Sequence, residues 1–155
     1  MRIQLRIIVC ILAINAIVPY CYGQGCDKMN FKFQSDIPST CQFMTMTMMH
    51  DRMNRPYLYI ANKEAGLTIY DITNLALPVL VKTIPTTLYE MLDVMYVSQE
   101  NNYIYLALGN SFNSSQKSGM AIVDVSVPSS AFLTDYWTLP SSSGGSGIVK
   151  VEGNY

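Results

Sequence analysis

The chain has 155 residues, enough for one ordinary domain. Half of them are hydrophobic and only 14% are charged, too much apolar surface for a chain to stay disordered. Ten basic side chains stand against eleven acidic ones, a net charge of -1, so no basic field exists to hold a nucleic acid backbone.

Arg2 and Arg6 form a small positive head, Ile7 to Val18 is an apolar run broken only by Asn15, and Pro19 ends it. Cys21-Tyr22-Gly23 then places small residues at both specificity positions of a cleavage site. This pattern predicts a secretory signal peptide over residues 1–23 and a secreted or cell-surface protein. The alternative is a membrane anchor, but the apolar run spans about 18 Å as a helix, short of a bilayer core of about 30 Å. A lipoprotein would acylate Cys26, yet Gly23-Gln24-Gly25 before it lacks the usual leucine. No other segment is long and apolar enough to predict a membrane span.

Cleavage leaves Cys26 and Cys41 of the four cysteines. An even pair in an oxidising compartment reads as a disulfide, which would tie residues 24–42 to the domain beyond them. A metal pair would need two further ligands, and His50 is the only histidine.

From Phe43 onward the chain repeats. Tyr57-Leu58-Tyr59-Ile60-Ala61 returns as Tyr103-Ile104-Tyr105-Leu106-Ala107, a shift of 46. Gly66-Leu67-Thr68-Ile69-Tyr70-Asp71-Ile72-Thr73 returns as Gly119-Met120-Ala121-Ile122-Val123-Asp124-Val125-Ser126, a shift of 53. The difference is a seven-residue insertion between the two blocks, in the polar stretch Asn110 to Ser118. Short runs rich in Tyr, Ile, Val and Leu predict strands. The first copy is read as Phe43–Met49, Pro56–Ala61, Gly66–Thr73 and Val79–Ile84. The second is read as Met91–Ser98, Tyr103–Leu108, Gly119–Ser126 and Phe132–Thr138.

Four short strands in a period of about 40 to 50 residues are the mark of a β-propeller blade. The predicted fold is therefore all-β: an incomplete propeller over residues 43–155, with two four-stranded blades and the first strand of a third beginning near Ile148. Closed propellers need about four to eight blades, so further blades of the same chain are expected. The competing architecture is a β-sandwich, which has no reason to repeat Tyr-x-Tyr and Gly-x-x-Ile-x-Asp in the same order.

Gly66 to Asn74 with Pro78, and Gly119 to Ser126 with Pro128, resemble the LVIVD repeat. That family's pattern runs Gly-Leu, alternating β-branched residues, Asp, then Ile/Val-Ser/Thr-Asn and a proline. Tyr57 to Ala61 and Tyr103 to Ala107 are similar to its preceding Tyr-Val-Ala strand. Leu75 and Ala76 depart from the usual Asn-Pro spacing, and the second copy lacks the Asn after Ser126. The resemblance implies a propeller of secreted and cell-surface proteins without a general enzymatic activity. It is distinct from WD repeats, since no Gly-His pair opens either copy.

Candidate chemistry is sparse. Gly66, Asp71, Gly119 and Asp124 read as repeat turn residues, each carboxylate accepting backbone N–H bonds; a calcium site would want a denser acidic cluster. Glu90 and Asp93 could pair for glycoside chemistry, but nothing in the spacing sets their separation. His50 lacks an oriented partner. Ser141 to Ser143 lie in a Ser/Gly run that reads as a flexible linker, neither a nucleophile elbow nor a phosphate loop. Met44, Met46 and Met48 share one face at period two, which reads as core packing before it reads as a soft-metal site. Asn113-Ser114-Ser115 is a glycosylation sequon inside the insertion. No cofactor is implied. The function expected is a non-catalytic extracellular binding module for a protein or glycan, presented on propeller loops. The alternative is the N-terminal part of a secreted propeller enzyme whose catalytic groups lie in other blades.

Overall fold

A computed structural model describes residues 33–39, 41–110, 112–113, 115–142 and 144–153. The predicted signal peptide and Cys26 lie outside the described residues. The chain divides into an N-terminal unit, Met1–Gln34, and a main unit, Ser35–Tyr155.

The regular structure of the main unit is almost entirely strand. β1 (Thr45–His50), β2 (Pro56–Asn62), β3 (Gly66–Asp71) and β4 (Val79–Ile84) form one antiparallel sheet in the order β1-β2-β3-β4. β5 (Val94–Glu100), β6 (Tyr103–Leu108), β7 (Lys117–Asp124) and β8 (Phe132–Ser142) form a second with the same order. Both are meanders of neighbouring strands. The two repeats of the sequence are the two sheets.

Several strand ends differ from expectation, each for a local reason. The third strands stop at Asp71 and Asp124 rather than Thr73 and Ser126. Each Asp Oδ1 accepts the N–H of the residue two positions on, at 2.8 Å, which turns the chain out of the ladder. β5 begins at Val94 rather than Met91. Glu90 and Met91 hold positive φ angles of 58° and 60°, and the Met91 N–H bonds back to Thr86 O at 2.9 Å behind a short 3-10 turn at Thr86–Leu88. β8 runs on to Ser142, where it pairs with Lys117. Ser141 and Ser142 are therefore strand residues and not linker. The strand expected from Ile148 does not form: residues 145–150 have no strand assignment.

Cross-strand register defines two faces of each sheet. Residues directly opposite in an antiparallel pair point the same way. In the first sheet Tyr57, Tyr59, Ala61, Leu67 and Ile69 share the front, and Leu58, Ile60, Thr68, Tyr70 and Leu80 share the back. In the second, Tyr103, Tyr105, Ala107, Met120 and Ile122 share the front, and Ile104, Leu106, Ala121 and Val123 the back. The core is the contact between the sheets. Tyr57, Tyr59 and Ile69 from the first front lie in one buried cluster with Ile104, Leu106 and Val123 from the second back.

The methionines of β1 do not enter it. Met46 and Met48 face outward and are 59% and 55% exposed, because β1 is an edge strand and the core lies on its other face. Met44, just before the strand, and Met49, on that other face, pack against the core. The period-two stripe thus breaks at the strand start.

Candidate functional site

Each sheet sends the loop after its third strand to the same end, and the two Asp residues shape those loops. Asp71 is bonded by Thr73 and Asp124 by Ser126. The Thr73 hydroxyl and N–H hold the Asp71 carboxyl below its ordinary range. The Ser126 N–H and hydroxyl do the same for Asp124. Both carboxylates spend their lone pairs on their own turns.

The β1–β2 hairpin reaches the same end. Asp51 Oδ1 accepts the N–H groups of Met53 and Arg55 at 2.9 Å each. Its Oδ2 accepts Arg55 Nε at 2.8 Å and pairs with the guanidinium at 2.6 Å. Burial acts to raise the Asp51 carboxyl, but these bonds outweigh it and hold it low. The same guanidinium lies 5.8 Å from the Tyr57 ring centre. The hairpin is thus rigid. With Ser126, Val127 and Pro128 of the second sheet, the residues Asp51, Arg52, Met53 and Arg55 line an open cleft of about 230 Å³. Arg52 and Met53 are exposed on its rim. The sequence hinted at this site only through its polar turn composition; that it faces the loop after β7 depends on how the sheets stack.

A larger cleft of about 570 Å³ lies beside β1 and β5. Met46 and Thr47 of β1, Ser98 and Glu100 of β5, and the segment around Ile148 and Lys150 line it.

Glu90 Oε2 accepts Lys117 Nζ at 2.6 Å and its Oε1 accepts Thr138 Oγ1 at 3.2 Å. Asp93 is buried and its Oδ2 accepts Asn110 Nδ2 at 2.9 Å. The two acids are committed to different partners. His50 is exposed at the end of β1, opposite Pro56. Among the described residues no group of three or more His, Cys, Asp and Glu could hold a metal ion. Cys41 is half-buried, and its expected partner Cys26 lies outside the described residues. Asn113 is exposed in the insertion, and its Oδ1 accepts the Ser115 hydroxyl at 2.6 Å and the Ser115 N–H at 3.1 Å. Gly66 takes a φ of 97°, and a Cβ there would run into Ile84 O and Tyr89 Oη. A Cβ on Gly119 would come 2.5 Å from Trp137 O.

Two equivalent four-stranded meanders, stacked through unlike faces, define a β-propeller-like repeat module. The LVIVD repeat family matches the chain at residues 56–86 and 93–136, over β2 to β4 and over most of the second sheet. The chain belongs to the LVIVD repeat family. No curated protein and no solved structure matches it.

Proposed function

We propose that this protein is a non-catalytic extracellular binding module on a β-propeller scaffold, taking a protein or glycan ligand at its loop end. One observation carries the reading. The acids with candidate chemistry are bonded into the scaffold: Asp51 to Arg55, Asp71 to Thr73, Glu90 to Lys117, Asp93 to Asn110 and Asp124 to Ser126. The loop end instead presents an exposed cation and an exposed thioether, Arg52 and Met53, on a hairpin held rigid by Asp51. Rigid loops with exposed tips suit recognition.

The same proposal includes export by the N-terminal signal and a Cys26–Cys41 disulfide. No helix among the described residues is long and apolar enough to cross a membrane.

The test uses protein recovered from a eukaryotic secretory host. It is screened on a glycan array and by cross-linking to cell surfaces, beside the double variant Arg52→Glu/Met53→Glu. Binding that the variant loses while keeping its thermal transition supports the reading. Turnover of a glycoside, ester or peptide reporter by the wild type, abolished in Asp93→Asn, overturns it.

A further inference from the structure

The outward face of β1 carries a line of side chains able to bind a metal. The strand reads Thr45-Met46-Thr47-Met48-Met49-His50. Successive side chains of a strand point to opposite faces. Met46, Met48 and His50 therefore share one face, opposite Ile60, Leu58 and Pro56 in the ladder. Exposure alternates in step: Met46, Met48 and His50 are exposed, and Thr45, Thr47 and Met49 between them are half-buried. Two thioethers and the chain's only imidazole thus follow one another along a single strand, with Cα atoms about 7 Å from each to the next.

Packing does not account for this choice of residues. The neighbouring strands supply Leu58, Ile60 and Leu80 to the same face, the aliphatic types that are most often buried. A cover over β1 would have to bury the His50 ring, and among the described residues no group bonds it. The segment from Ser35 to Met44 also keeps clear of this line. Its Ser35 hydroxyl bonds to Leu75 O and its Met44 N–H to Ala61 O, and Pro38 and Ser39 border Thr68, Tyr70 and Leu80.

We propose that Met46, Met48 and His50 bind one Cu(I) ion on the outward face of β1. Thioethers select soft metals such as Cu(I), and imidazole also suits copper. All three donors are neutral, so a single positive charge is easier to accommodate than two. Asp51, next in the chain, could offset a second charge, but its Oδ1 accepts the Met53 and Arg55 N–H groups and its Oδ2 the Arg55 guanidinium. Zinc would want thiolates or further imidazoles. The three rotatable bonds of methionine let neighbouring thioethers turn toward one ion.

The experiment titrates the secreted protein, its free thiols blocked with N-ethylmaleimide. The probes are Cu(I) kept reduced with ascorbate and, in chloride-free buffer, Ag(I) as a redox-silent equivalent. One equivalent of either should bind. In protein labelled with 13C-methyl methionine, the Met46 and Met48 methyl signals should move together and stop at one equivalent. Met46→Leu/Met48→Leu, close to volume-conserving, should weaken binding by at least about 100-fold. His50→Gln should weaken it by at least about 10-fold, since even the outer partners of a metal site are worth about 10- to 100-fold. Met91→Leu, at an exposed methionine of another loop, should bind as the wild type does. These side chains are exposed, so every variant should keep the metal-free thermal transition; Met48→Gln replaces the double variant if it does not. A wild type that takes up no metal would overturn the proposal. So would binding that neither the double variant nor His50→Gln weakens, or methyl shifts spread over all exposed methionines without an end point.

Discussion

A few side chains decide where the chain turns. Gly66 opens β3 at a backbone angle that side chains rarely adopt, against the Ile84 carbonyl and the Tyr89 hydroxyl. Gly66→Ala is expected to destabilise by at least about 3 kcal/mol, the severe end for a single substitution. Gly147→Ala, whose Cβ would meet nothing within 4 Å, should be close to neutral; urea denaturation of the two variants checks the contrast. Asp71 and Asp124 close β3 and β7. Replacement of either by Ala should cost about 1 kcal/mol, and by Asn a few tenths, since Asn keeps the acceptor oxygen. Both carboxyls lie below the ordinary 3.8 in the folded protein. A depressed folded value means that the stabilisation is whole above the unfolded value and fades as pH falls through the folded one. Stability should therefore drop below about pH 3.8, and the drop should be shallower in the Asp71→Asn/Asp124→Asn double variant.

At the scale of elements, β7 and β8 show how a repeat accommodates an insertion. β7 begins at Lys117, two residues before the glycine of its repeat motif, and so gives β8 a partner out to Ser142. Gly144 and Gly145, just beyond it, are tied down rather than loose. Gly145 at φ 87° lies against the backbone of Gly109 and Asn110, the Gly144 N–H bonds to Gln116 O at 3.1 Å, and the Ser146 N–H to Leu108 O at 2.9 Å. The inserted loop itself puts Asn113 in solvent. In a eukaryotic secretory host Asn113 should carry a glycan, and Asn113→Gln should remove a discrete mass and leave the thermal transition in place, because no ladder bond is touched. Intact-mass spectrometry before and after reduction checks the glycan and the proposed Cys26–Cys41 bond in one measurement.

For the whole unit, one buried apolar cluster joins residues of both sheets. Tyr59, Leu67 and Ile69 on one side and Ile104, Leu106 and Val123 on the other are fully buried. A sheet with a bare apolar face is marginal alone, so the two should unfold together. Leu106→Ala is expected to cost about 2 to 5 kcal/mol, as for other large-to-small core changes. Calorimetry should show one transition for the variant as for the wild type. Two separate transitions would mean that each sheet is stable alone, against the packing seen.

The all-β class, the number of strands per repeat and the equivalence of the two copies were legible in the sequence, because strand periodicity and the Gly-x-x-Ile-x-Asp turn chemistry are local. Tyr103–Leu108 and Val79–Ile84 match the observed strands at both ends. Local signals could not say which of two apolar faces is covered. Tyr57 and Tyr103 are the same residue in the same motif, yet one is buried and the other 38% exposed, because only the first has a sheet stacked on it. For the same reason Met46 and Met48 look like core in the sequence and stand in solvent in the fold. The meeting of the Asp51 hairpin with the loop after β7 likewise arises only when two sheets far apart in the chain pack front to back.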